Sequence, residues 1–81
     1  MAILIPNYDL AEKIGDRIEI EAPTVDDLIE EGVARWGEIF RQATKKASIS
    51  VNGRAIRHLD RGKTRLGPND TVWLVLPSGG G

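Results

Sequence analysis

The residues of this 81-residue chain best placed to do chemistry are its last three, Gly79, Gly80 and Gly81. They follow a strand-like apolar run, Thr71-Val72-Trp73-Leu74-Val75-Leu76, closed by Pro77 and Ser78. Glycine has no Cβ, so such a thread adopts almost any φ/ψ and passes where a side chain would jam. From Pro77 to Gly81 it reaches about 16 Å when extended, at roughly 3.3 Å per residue. An α-carboxyl there, with a reference pKa near ~3.5, is ionised at neutral pH and can serve as an oxygen nucleophile or be activated by another protein. Ordering glycines costs much chain entropy, so the tail is expected to lie off its own domain. The competing reading is a frayed end without a chemical role.

Other chemistries lack their residues. There is no cysteine, which removes disulfides, thiol nucleophiles and thiolate metal sites. Any sulfur this protein handles must therefore sit on something else. His58 is the single histidine, so no metal site is expected. The three glycines precede no helix and no Lys-Ser/Thr pair, which a phosphate loop would need. No nucleophilic triad or carboxylate pair emerges, and neither catalytic machinery nor a bound cofactor is expected. The net charge of −1 supplies no global basic field for nucleic acid. No apolar run approaches a membrane span, and Met1-Ala2-Ile3-Leu4-Ile5-Pro6 has no basic region of a signal peptide, so the expected compartment is a reducing cytoplasm.

The elements that must carry the tail read as one small domain, residues 1–77, with 78–81 as a flexible extension. Ala2–Pro6 is a short strand stopped by Pro6-Asn7, and Arg17–Glu21 alternates polar and apolar like a second one. The two predict an N-terminal hairpin with a long loop over Tyr8–Gly15. Thr24 caps a helix that carries Asp26 and Asp27 in its first turn and ends at Lys45-Lys46, as the dipole favours. Val25, Leu28, Ile29, Val33, Trp36, Phe40 and Ala43 form its apolar stripe, and Gly37 is a point where it can break. Trp36 and Phe40 are read as core. Ala47–Val51 is a strand, Asn52-Gly53 a hairpin turn, and Arg54-Ala55-Ile56 the start of the return strand. Arg54, Arg57, His58, Arg61, Lys63 and Arg65 face Asp60 alone in the following stretch: a solvated loop, or a docking patch for an acidic protein. No aromatic interleaves with these charges to stack bases. After the Gly67–Asp70 turn, Val72, Leu74 and Leu76 share one face of the last strand, leaving Trp73 and Val75 outward as a partner surface.

This order is that of a ubiquitin-like β-grasp domain: α+β, with a mixed sheet of four to five strands packed on one main helix. Val51-Asn52-Gly53-Arg54, Thr64-Arg65-Leu66, Asp70-Thr71-Val72, Leu76-Pro77 and the terminal Gly80-Gly81 carry a closer likeness. With them the chain resembles the MoaD/ThiS sulfur carriers, the length and the Trp36–Phe40 helix leaning toward MoaD, the molybdopterin synthase small subunit. Two positions depart from that pattern. Gly79 stands where alanine is common, and Asn69 where a glycine often precedes the aspartate.

The resemblance implies that a MoeB/ThiF-type enzyme uses ATP to adenylate Gly81, and that a persulfide or sulfide source converts it to a thiocarboxylate. Gly79 and Gly80 would thread into a client such as a MoaE-type large subunit. The implied protein is a co-substrate, with Trp73, Val75, Arg54, Arg57 and Arg65 as its partner interface. A lysine-conjugating modifier joined through Gly81, or a non-covalent β-grasp interaction module, would read alike. Thiamine, cysteine or methionine synthesis, tRNA thiolation and thioacid siderophores are clients open alongside molybdopterin.

Overall fold

The computed structural model describes residues 1–6 and 8–75, with Tyr8 and Asp9 given by backbone only. Leu76, Pro77 and the Ser78–Gly81 tail lie outside the described residues. Five strands form one sheet: β1 (Ala2–Ile5), β2 (Ile18–Ile20), β3 (Ser48–Val51), β4 (Arg54–Ala55) and β5 (Thr71–Val75), in the order β2-β1-β5-β3-β4. The first and last strands lie side by side and parallel, Leu4 opposite Val72, while the other pairings are antiparallel. Two-residue periodicity sends Leu4, Ile20, Val72 and Leu74 to one face, where they are fully buried. This is the mixed α+β β-grasp sheet that the sequence predicts.

Three helices cover that face: α1 (Tyr8–Ile14), α2 (Val25–Trp36) and α3 (Glu38–Lys46). The first corrects an expectation, because Tyr8–Ile14 is a helix and not a loop. Leu10 is buried in the core, and Ile14, four residues on, packs against it. The second difference is that the main helix is two, parted at Gly37, whose φ of 71° and ψ of −144° suit glycine far better than residues with a Cβ. Folding back at Gly37 lets α3 lay Phe40 over Gly32, where an added Cβ would overlap the ring. Trp36 meets Phe40 at 5.4 Å between ring centroids, and Phe40 is fully buried, in line with their reading as core.

The start of α2 is held from two sides. Thr24 Oγ1 accepts from Asp27 N at 3.2 Å and donates to Asp27 Oδ2 at 2.8 Å, so the cap works as its residue type predicts. From across the fold, Val25 N donates to the Thr64 carbonyl at 3.1 Å and Leu66 N to the Pro23 carbonyl at 2.9 Å. The Thr64-Arg65-Leu66 stretch is thus a clip on the helix N-terminus, satisfying a donor the helix cannot satisfy itself.

Candidate functional site: the outer sheet face and the root of the tail

The face of the sheet away from the helices is assembled by register. Ile5 pairs with Trp73 across β1–β5, and Ser50 with Trp73 and Ser48 with Val75 across β3–β5. Paired residues share a face, so Ile3, Ile5, Trp73 and Val75 form an apolar band on the two central strands. Trp73 is 44% exposed and Val75 53%, although both alternate along their strand with Val72 and Leu74, which are sealed. Beside them α1 forms one wall of a groove lined by Ile5, Pro6, Ala11, Trp73 and Val75, with Glu12 and Asp16 on its acidic side. An apolar floor with a carboxylate margin suits a partner that brings an apolar patch flanked by cations.

Trp73 and Val75 were legible from alternation alone. The contributions of Ile3, Ile5 and Ala11 were not. Ile3 and Ile5 join through the parallel register of β1 and β5, and Ala11 through a helix too short to announce itself. Val75 is the last described residue, so Gly79, Gly80 and Gly81 lie outside the description, as does Leu76.

The basic residues proposed for the same interface separate from it. Arg54 pairs with the buried Val51, which puts it on the helix-side face at the sheet edge, opposite to Trp73. A two-residue turn keeps cross-strand partners on one side, and Val51 is buried in the core opposite Val72. Arg57 lies in a tight helical turn (Ile56–His58), and Arg65 bridges to Thr24 beside α2. The register thus sets Arg54 on the opposite face from Trp73, and Arg57 and Arg65 follow it in the stretch after β4. His58 accepts a 3.4 Å hydrogen bond from Arg57 Nε, and among the described residues no group of His, Asp or Glu could hold a metal ion.

A polar clasp fixes the far end of β5. Asn52 Nδ2 donates to Asp70 Oδ1 at 2.9 Å, Thr71 N donates to Asn52 Oδ1 at 2.9 Å, and Gly67 N donates to Asp70 Oδ2 at 2.7 Å. These donors, Gly67 N foremost and then Asn52, hold the Asp70 carboxyl below its ordinary range. Asn52 and Gly53, at φ 53° and 87°, make the two-residue turn between β3 and β4, so one asparagine serves both hairpin and clasp. The motif residues Asn52, Thr64, Leu66 and Asp70 are thus joints of the scaffold.

A β-grasp domain with an exposed apolar face at the root of a glycine-rich end is the class these features define. A family model described as the ThiS family matches residues 7–81, and the chain belongs to that family. It is a sulfur carrier of the ThiS type and a co-substrate rather than an enzyme. Among solved structures it is similar to small archaeal modifier protein 1 from Methanosarcina acetivorans, with 19% identity, a TM-score of 0.84 and coverage of 99% of this chain and 95% of that one. It is also similar to a chain of the Amycolatopsis orientalis BexX/CysO complex, with 16% identity, a TM-score of 0.85 and full coverage of both chains. At these identities the likeness is one of fold. No curated protein matches the sequence. Among the described residues no helix is long and apolar enough to cross a membrane.

Proposed function

We propose that this protein delivers sulfur as a thiocarboxylate on Gly81, with residues 78–81 as a flexible arm on the 1–77 domain. The observation that carries the reading is the exposed Trp73–Val75 face on β5, the strand whose chain continues directly into Gly79-Gly80-Gly81. A partner seated on that face holds the root of the tail, and the glycines lead the carboxylate into its active site. An ionised carboxylate is a poor acyl donor, because it has no good leaving group. Attack of a Gly81 oxygen on the α-phosphorus of ATP, in a MoeB/ThiF-type enzyme, expels pyrophosphate and leaves an acyl-AMP. Hydrosulfide then attacks the carbonyl carbon, the bond to AMP breaks, and Gly81 carries a thiocarboxylate. Glycine offers no Cβ to obstruct that attack.

As client we infer a MoaE-type large subunit in molybdopterin synthesis, on the sequence resemblance. The fold likeness to a protein named as a modifier supports a second reading, in which the activated Gly81 is joined to a lysine amine. One experiment separates them: intact mass of the protein purified from its own cells without reductant, and again after incubation with ATP, sulfide and the cognate activating enzyme. An oxygen-to-sulfur exchange localised to Gly81 is the expected outcome. Lysine conjugates that survive boiling and reduction, with no thiocarboxylate, would establish the modifier. A chain unchanged under both conditions would leave neither covalent reading standing.

A further inference from the structure

Charge in this chain is segregated. Residues 54–65 hold Arg54, Arg57, Arg61, Lys63 and Arg65 against Asp60, while the remainder has six cations and eleven carboxylates. The described ion pairs are Arg35–Glu31 and Arg41–Glu38, both within α2 or α3. All five cations of the 54–65 stretch are exposed, and none forms an ion pair among the described residues. A stretch of surface cations beside a carboxylate-rich body, without an ion pair to it among the described residues, presents its charge to solvent and to any partner.

The backbone carrying these charges is anchored. Ile56, Leu59 and Leu66 pack against the core, so the apolar side chains of the stretch point inward and the charged ones out. Leu59 N donates to the Ile56 carbonyl at 2.9 Å, Lys63 N to Asp60 at 3.0 Å and Thr64 N to Arg61 at 3.0 Å, closing two tight turns. The second turn abuts α2, where a Cβ on Gly62 would collide with the Asp26 carboxylate. Arg61 itself sits at φ 50°, a left-handed backbone that disfavours a side chain, although its own side chain has no hydrogen-bond or ionic partner among the described residues. A glycine there would relieve the strain, so the backbone gains nothing from the arginine, whose charge faces outward.

We propose that this edge is a second docking surface, for a protein face rich in aspartate and glutamate, independent of the apolar face around Trp73. Charge complementarity selects the occupant. Nucleic acid would want aromatic platforms, and 54–65 contains no Trp, Tyr or Phe. A lipid surface would want exposed apolar anchors, and here Ile56 and Leu59 are turned in. Because Arg54 lies on the helix-side face of the sheet, a partner covering Trp73 and Val75 leaves the edge open, and the carrier can be held by two proteins at once.

The test needs no activating enzyme, so its failure is separable from failure of the thiocarboxylate reading. The isotope-labelled full chain is titrated with a short poly-L-glutamate peptide while backbone amide shifts are followed. Shifts are expected to cluster within 54–65, with affinity falling about tenfold as ionic strength rises from about 0.05 to about 0.3 M. The double variant Arg57→Ala with Lys63→Ala should weaken binding by about tenfold as well, both side chains being exposed. Arg61→Gly should weaken binding while leaving the melting temperature unchanged or raised, which a merely structural arginine would not do. Shifts centred on β5, indifference to these variants, or preference for a single-stranded oligonucleotide or a phosphatidylserine vesicle over the peptide would overturn the proposal. So would self-association in sedimentation that the same variants abolish, since the occupant would then be a second copy.

Discussion

Asn52 and Asp70 stand eighteen residues apart and share a 2.9 Å hydrogen bond, which ties the β3–β4 turn to the turn that launches β5. Replacing Asp70 by alanine removes the acceptor for Gly67 N and for Asn52 Nδ2 together. Each such bond contributes about 0.5–1.5 kcal/mol, toward the lower end here because the clasp is open to solvent. We expect Asp70→Ala to cost about 1–2 kcal/mol at neutral pH by urea denaturation. The sign of the pH dependence follows from the depressed folded-state pKa. The carboxylate's stabilisation is complete above its ordinary value of 3.8, and is lost as pH falls through the lower value of the folded state. The difference in urea midpoint between wild type and Asp70→Ala should therefore narrow as pH falls below 3.8 and remain flat between neutrality and mild acid. A difference that held constant down to about pH 2 would show that the charge on Asp70 contributes nothing.

The fold-back of α3 on α2 rests on two glycines with different tasks. Gly32 yields its Cβ volume to the Phe40 ring, and Gly37 supplies the backbone angles of the break. In an isolated helix Gly32→Ala would stabilise by about 1 kcal/mol. In this one the added methyl meets a fully buried aromatic, and we expect a net loss of about 1–3 kcal/mol by thermal denaturation, eased by Phe40→Leu in the double variant. Stabilisation by Gly32→Ala alone would mean the ring has room to move. Gly37→Ala meets no neighbouring atom and is expected to lose about 1–3 kcal/mol through backbone strain alone, without rescue by Phe40→Leu. Elements were legible where local chemistry decides them: Thr24 as cap, Asn52-Gly53 as turn, the apolar run of β1 before Pro6, and alternation in β2, β3 and β5. They were illegible where tertiary contacts decide. The seven residues of α1 are too few to hold a helix by themselves, and only the core around Leu10 and Ile14 makes them one. β4 ends after Ala55 because Ile56 turns into the packing, which no propensity at Arg54-Ala55-Ile56 foretells.

At the scale of the whole molecule, the first and last strands meet in the centre of the sheet, and the strand that completes the core is also the one that leads to the tail. Alternation along β5 was enough to find Trp73 and Val75. Separating them from Arg54 required the register of a strand two places away, which a linear reading does not contain. Neighbouring residues of β5 consequently answer to different demands. Leu74 is fully buried on the helix side, and Leu74→Ala should cost about 2–5 kcal/mol. Trp73→Ala removes a side chain that is 44% exposed on the opposite face, and its unfolding midpoint should shift far less, by about 1 kcal/mol or under. If the Trp73 face seats the activating enzyme, Trp73→Ala stays folded yet accumulates thiocarboxylate at least about tenfold more slowly at limiting enzyme, since an exposed aromatic anchor contributes about 2 kcal/mol or more to docking. Raising the enzyme concentration should restore the rate, because the lost contact lies remote from the carboxylate and affects association before chemistry. Chemical denaturation and time-resolved intact mass on the two variants would check both halves. Equal rates for Trp73→Ala and wild type at limiting enzyme would remove the outer face from the activation step and leave it to the sulfur-consuming client.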